Sequence, residues 1–142
     1  MKRYLTLLLI LFCSVAHADD VTVAGRKDGL WRPYRICTLN TVVQKVKSTP
    51  GLVGGYFFYN PNSTAAYVHF FDQGTGLATP GSTVPVWTIG IPALGGANLA
   101  DMQMEFFNGI QVSSSNAATG TTTTAAGTTN NTIAITGNLS YR

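Results

Sequence analysis

Two aromatic-rich runs separated by a turn signature lie near the middle of the sequence and restrict the fold more than any other feature. The first run, residues 54–59, reads GGYFFY, and the second, residues 66–72, reads AYVHFFD. In a regular strand, one face of the first run carries Val53, Gly55, Phe57 and Tyr59. Between the runs, Pro61 presets the backbone for a type I turn that Asn60 is able to close with side-chain hydrogen bonds. Both runs are apolar on both faces, which is typical of strands in the middle of a sheet, so the stretch predicts a central β-hairpin.

Residues 1–18 have the pattern of a secretory signal peptide. A basic pair comes first, residues 5–15 are apolar, and residues 16–18 read AHA, a small-x-small cleavage site. The apolar run is shorter than the roughly 20 residues that a membrane-spanning helix needs. A lipoprotein anchored at Cys13 is the alternative, but the bulky Phe12 stands where such signals carry a small residue. We therefore expect export to the periplasm, the extracellular space or the cell surface.

The predicted mature chain, residues 19–142, has few charges and almost no net charge. It keeps seven basic and six acidic residues, a formal charge of +1, so there is no general case for nucleic acid binding. Its one cysteine, Cys37, excludes an intramolecular disulfide. Thr, Ser, Gly, Asn and Ala are abundant, and this composition suits strands joined by polar turns more than long helices.

Strand and turn signals alternate along the mature chain. Residues 19–35 are interrupted by Gly29 and Pro33 and predict an extended N-terminal arm. Residues 36–142 predict about six to eight short strands that close into a single antiparallel β-sandwich, either jelly-roll-like or immunoglobulin-like. No stable membrane insertion of the mature chain is expected.

Three later segments carry predictions of their own. Residues 73–83 are rich in Gly, Thr and Pro and predict a loop. Asn108-Gly109 signals a two-residue β-hairpin, although Asp101 and Glu105 would also sit one helical turn apart. Residues 113–129 are low in complexity and hold no large apolar side chain, so an exposed loop or a ragged edge strand is expected there.

Few side chains suit catalysis. The mature chain has one histidine, His69, and one cysteine, so it lacks the ligands of a Cys/His zinc site. Cys37 and His69 would form a nucleophile and base only if the fold joined them, and the simpler interpretation is a packed thiol and a strand histidine. Asp72 ends an aromatic strand and is expected to cap a turn. We expect no catalytic residue, no metal, no cofactor and no enzymatic activity.

Cations and aromatic rings interleave in the predicted arm. The residues are Arg26, Lys27, Trp31, Arg32, Tyr34 and Arg35. Such a cluster is able to stack on sugars or to bind an acidic surface, and it is the candidate site for a partner or ligand. The alternative is that Trp31 and Tyr34 cover an edge of the sandwich while the guanidinium groups stay in water.

The turn and strand motifs resemble those of small uncharacterised β-sandwich proteins found in bacteriophage and bacterial sequences. The motifs are residues 59–62 (YNPN), 66–72 (AYVHFFD), 83–92 (TVPVWTIGIP) and 108–112 (NGIQV), followed by the threonine tract 121–124. This resemblance implies a sandwich with a structural role in a virion or on a surface. The expected function is a non-enzymatic structural or adhesive module that binds itself or another surface or virion protein. The alternative is a carbohydrate- or ligand-binding sandwich that uses Trp31, Tyr34 or Trp87 and whose partner is a glycan.

Overall fold

The computed structural model describes residues 30–118 and 135–142, and every regular element within them is a β-strand. The strands are β1 (Arg32–Leu39), β2 (Gln44–Lys47), β3 (Gly51–Tyr59), β4 (Ala66–Asp72), β5 (Trp87–Ile91), β6 (Gly96–Leu99), β7 (Met104–Phe106), β8 (Ile110–Ser115) and β9 (Ile135–Tyr141). All of them belong to one compact unit, Trp31–Arg142. The all-β class predicted from the sequence is therefore confirmed.

Part of the predicted domain organisation lies outside the described residues. This holds for the signal peptide, residues 1–18, and for most of the arm, including Arg26 and Lys27. β1 begins at Arg32, inside the segment predicted as an arm. In the described part of the chain, no helix has the length and apolarity that crossing a membrane requires.

The described strands form two antiparallel sheets. The five-stranded sheet has the order β1-β9-β3-β6, and β7 also pairs with β3. The four-stranded sheet has the order β2-β8-β4-β5. The two aromatic-rich runs, β3 and β4, each have strand neighbours on both sides, as expected for the middle of a sheet. Residues 73–83 form a loop, as predicted.

The two sheets share one hydrophobic core. The ring of Phe70 in β4 lies 6.3 Å from that of Phe58 in β3 and 6.2 Å from that of Phe106 in β7, measured between centroids. Other buried members from both sheets are Ile36, Val53, Val68, Ile91, Val112 and Leu139. Since Cys37 is a free thiol, this part of the chain is held by packing and hydrogen bonds.

The predicted central hairpin is wrong, because β3 and β4 belong to different sheets. Residues 60–65 instead carry the chain from one sheet to the other. The buried side chain of Asn60 fixes this crossing, since its Nδ2 donates to the carbonyl oxygens of Thr64 at 2.8 Å and Pro92 at 3.1 Å. Its Oδ1 accepts the N–H of Asn62 at 3.0 Å. The turn chemistry was identified correctly, but it serves a crossover.

Asn108-Gly109 does not close a hairpin either, because β7 pairs with β3 whereas β8 pairs with β2 and β4. The carboxylate of Asp72 accepts the N–H groups of Asn108 at 2.7 Å and of Phe107 and Gly109 at 3.1 Å. The predicted turn-capping role of Asp72 is thus confirmed. The helical alternative for residues 101–105 is wrong, since β7 begins at Met104.

A β-bulge at Gly54 separates side chains of β3 that were predicted to share one face. Val53 lies opposite Tyr141, but Gly55 lies opposite Ser140, so Gly54 is the extra residue. Val53 is consequently buried in the core, while Phe57 and Tyr59 are 53% and 41% exposed. The prediction that the first run is buried on both faces is therefore wrong for its outer face.

The beginning of the low-complexity segment is buried, contrary to the prediction of an exposed loop or edge strand. Ser113, Ser114 and Ser115 end β8, which lies between β2 and β4. Serine is tolerated there where its hydroxyl finds a partner, and Ser114 Oγ donates to the carbonyl oxygen of Leu39 at 2.8 Å. Residues 119–129 of the segment lie outside the described residues.

Candidate functional site

The predicted cation–aromatic cluster is not gathered into one site among its described members. Tyr34 packs against the core, with its ring 6.5 Å from that of Tyr141 in an edge-on arrangement. Burial raises the pKa of Tyr34, and the neighbouring Tyr141 raises it further. Arg32 and Arg35 are exposed on β1. Tyr34 therefore serves the core, and the guanidinium groups remain in water.

Trp31 lies over the bulge of β3. A Cβ at position 54 would lie 2.5 Å from the Trp31 ring, so only glycine permits this approach. The guanidinium carbon of Arg142 lies 4.8 Å from the centroid of the same ring, which is the geometry of a cation–π interaction. The ring remains 39% exposed.

Trp31 and Pro33 form one wall of an open groove of about 540 Å³ on the outer side of the five-stranded sheet. Gly54 and Gly55 form its floor, and residues 100–103, which connect β6 to β7, form the opposite wall. The N–H of Met102 donates to the carbonyl oxygen of Gly54 at 3.0 Å and holds that wall in place. Phe57, Asn138 and Ser140 also line the groove.

The two glycines allow both walls to close on the floor. A Cβ at position 55 would lie 2.8 Å from the carbonyl oxygen of Leu99, on the side away from Trp31. Sequence reasoning did not find this groove. The available signal was the Gly54-Gly55 pair inside a strand pattern, since glycine within a strand often marks a bulge or the close approach of another group.

One lateral edge of the molecule, formed by β1 and β2, carries several cations and is called the charged edge. Its cations are Arg32 and Arg35 on β1 and Lys45 and Lys47 on β2. Burial lowers the pKa of Lys47, and the nearby charge of Arg32 lowers it further, so this lysine of β2 lies near this arginine of β1. Each strand pairs on one side only among the described residues.

At the opposite edge, β5 and β6 are together called the uncharged edge; β7 follows on the same side of β3 as β6 and carries the exposed Glu105. In residues 30–118 and 135–142, β5 pairs only with β4 and β6 only with β3, and β5 and β6 contact each other. Residues 73–100 span both strands and contain no Asp, Glu, Lys, Arg or His over 28 positions. The exposed apolar side chains near β5 are Val84 (81%), Val86 (55%) and Trp87 (47%).

His69 is buried within a network of hydroxyl groups. Its Nδ1 lies 3.0 Å from Thr88 Oγ1, and its Nε2 lies 2.8 Å from Ser115 Oγ. Burial lowers the pKa of His69, and a backbone hydrogen bond with Ala117 opposes part of this effect. Cys37 lies on β1 in the other sheet, so the structure does not form the nucleophile–base pair considered from the sequence.

No metal-binding cluster was expected from the sequence, and no group of three or more His, Cys, Asp and Glu side chains comes together within the described residues. Comparison of the chain with protein-family models, with curated proteins and with solved structures returns no match. The resemblance to bacteriophage and bacterial β-sandwich proteins therefore stays a prediction.

Proposed function

We propose that the chain is a non-enzymatic structural or adhesive module that is exported and joins copies of itself through the uncharged edge. In this proposal the two packed antiparallel sheets are one β-sandwich, and the larger assembly is a surface or virion particle. The single observation that carries the proposal is the difference in charge between the two lateral edges. Four cations lie on one edge, and none lies along the 28 residues that include the other.

An edge strand presents unpaired N–H and C=O groups that another strand is able to pair. Proteins that stay apart protect such edges with charged side chains, proline or bulges, and the charged edge has both its four cations and Pro33 in β1. β5 and β6 carry no charged side chain to repel a second copy, and the exposed Glu105 of β7 lies farther along the same side of the five-stranded sheet. Two copies that meet through β5 therefore approach without the desolvation of ions on that strand and without like-charge repulsion.

The exposed side chains of the uncharged edge favour the same association. Val84, Val86 and Trp87 expose about half or more of their surfaces. Full burial of an apolar side chain of this size contributes about 1.5–3 kcal/mol. Pro85 and Pro92 flank β5 and limit strand addition to Trp87–Ile91. If the β5 strands of two copies paired in antiparallel fashion about a two-fold axis, the two four-stranded sheets would join into one sheet of eight strands.

Light scattering after gel filtration tests the proposal with two matched variants. Val86→Lys places a charge on the uncharged edge, whereas Val42→Lys places one next to the charged edge at a valine that is 61% exposed. We expect the wild-type protein to associate between about 1 µM and about 1 mM, and Val86→Lys to raise the dissociation constant at least about tenfold. Val42→Lys should leave it unchanged. A wild-type protein that is monomeric over the whole range would overturn self-association, and equal weakening by both variants would overturn association through the uncharged edge.

A further inference from the structure

The groove over Gly54 and Gly55 has fixed walls and an open floor. Side chains are missing from the floor because both positions are glycine; a Cβ at position 54 would collide with the Trp31 ring, and a Cβ at position 55 would collide with the carbonyl oxygen of Leu99. One wall is held by Arg142 over Trp31, and the other by the hydrogen bond from Met102 to Gly54. The space of about 540 Å³ is within the range of small-molecule sites.

The groove is lined by aromatic rings next to hydrogen-bonding groups. Trp31 is 39% exposed and Phe57 is 53% exposed. Asn138 supplies an amide, Ser140 a hydroxyl and Asp101 a carboxylate. Pyranose rings have an apolar C–H face, which packs on an aromatic ring, and a rim of hydroxyl groups that both donate and accept. We propose that this groove binds a neutral carbohydrate.

The charges around the groove disfavour other ligands. Among the described residues that line it, Asp101 alone is charged, so an anionic ligand meets a carboxylate. A cationic ligand over Trp31 meets the guanidinium of Arg142, which already lies over the ring. A neutral polyhydroxyl ligand avoids both repulsions while using the donors and acceptors of the lining.

The turn at Asp101 shapes this wall. Its φ of 56° lies in the left-handed region, which aspartate adopts more readily than most residues that carry a side chain. Here the turn directs the chain from β6 across the bulge and into the hydrogen bond between Met102 and Gly54.

Of the aromatic residues that the sequence suggested for carbohydrate binding, the groove includes Trp31 alone. Tyr34 packs inward, and Trp87 lies on the other sheet, so neither belongs to the groove. Trp31 belongs to it, together with Phe57. The site does not include Val84 or Val86 and does not depend on self-association through the uncharged edge.

Fluorescence titration tests the proposal directly. The protein has two tryptophans, so Trp87→Phe leaves Trp31 as the single tryptophan. This variant is titrated with maltohexaose, cellohexaose, mannohexaose and chitohexaose, and with dextran sulfate as an anionic probe. We expect a saturable change in Trp31 emission with at least one neutral oligosaccharide, and a dissociation constant about tenfold higher after adding Phe57→Ala.

Further variants separate binding from folding and from self-association. Asn138→Ala removes an exposed amide of the lining and should also weaken binding. Val86→Lys should bind the oligosaccharide as the wild-type protein does, even where it no longer associates. The proposal is overturned by unchanged Trp31 emission with all four neutral probes, by binding of dextran sulfate alone, or by wild-type affinity in Phe57→Ala.

Discussion

The backbone N–H of Asn108 donates a 2.7 Å hydrogen bond to the carboxylate of Asp72. Phe107 and Gly109 donate to the same carboxylate, so three amides converge on one side chain. Asp72 ends β4, and the three donors lie where the chain passes from β7 in one sheet to β8 in the other. The side chain therefore ties this crossing to the end of a central strand.

Asp72→Ala should lower the free energy of unfolding by about 2 kcal/mol, because three amides lose a charged acceptor. Urea denaturation measures this change. Glu105→Ala removes an exposed carboxylate on β7 and should change stability by less than about 0.5 kcal/mol. Equal effects of the two substitutions would show that the converging hydrogen bonds do not stabilise the fold.

Asp72 also makes stability depend on pH in the acid range. Burial by itself would raise the pKa of Asp72, but the hydrogen bonds from Asn108, Gly109 and Phe107 hold it below the ordinary value of 3.8. The unfolded chain therefore takes up a proton more readily than the folded chain. We expect the stabilisation by Asp72 to be complete above pH 3.8 and to be lost as the pH falls below it. The free energy of unfolding of Asp72→Ala, measured at decreasing pH, should not show this loss.

Local chemistry was predictable from the sequence where a residue acts through its own turn. Asp72 at the end of an aromatic run was expected to cap a turn, and it does. Asn60 was expected to make side-chain hydrogen bonds in its turn, and it does. The partners of the flanking strands were not predictable, because a turn signature specifies a change of direction and leaves open which sheet the chain enters next.

The other differences have the same physical origin in contacts distant in sequence. A single extra residue at Gly54 puts Val53 in the core while Phe57, predicted to share its face, is exposed, since side chains alternate with period two along a strand. The serines at the end of β8 were predicted to be exposed, because the sequence does not show the hydrogen-bond partners of their hydroxyl groups. Ser115 reaches His69, which lies 46 residues away along the chain. The groove was not predicted because its lining also comes from segments that are distant in the sequence.

The His69 network predicts a second dependence of stability on pH. Burial lowers the pKa of His69 from the ordinary 6.5, so below that pH the unfolded chain binds a proton that the folded chain does not. The free energy of unfolding should be constant above pH 6.5 and should fall as the pH decreases below it. Denaturant unfolding between about pH 5 and about pH 8 measures this. His69→Gln should flatten the profile, whereas an unchanged slope would assign the titration to another group.

Two adjacent buried serines should respond in opposite ways to the loss of their hydroxyl groups. Ser113 Oγ is buried with no hydrogen-bond partner in the described part of the chain, whereas Ser114 Oγ donates to Leu39. Ser113→Ala should raise the free energy of unfolding by about 1 kcal/mol, because an unsatisfied polar group is removed from the interior. Ser114→Ala should lower it by about 1 kcal/mol. Thermal and urea unfolding of both variants measures the difference, and destabilisation by both would contradict the prediction for Ser113.

Leu94 has a left-handed backbone, with φ at 51°, in the turn between β5 and β6. This conformation costs about 1–2 kcal/mol for a residue with a Cβ, and the Leu94 side chain is 65% exposed, so it gains little from packing. Glycine also gives the unfolded chain more freedom, so Leu94→Gly should raise the free energy of unfolding by at most about 1 kcal/mol while keeping the 2.9 Å hydrogen bond from its N–H to the carbonyl oxygen of Asn62.

The neighbouring Ala93 supplies the control, since it is exposed and its φ is not positive. Ala93→Gly should lower the free energy of unfolding by about 0.5–1 kcal/mol, because glycine gives the unfolded chain more conformational freedom. Urea denaturation of both variants measures the two changes side by side. A less stable Leu94→Gly would mean that the leucine side chain stabilises the turn by more than its backbone conformation costs.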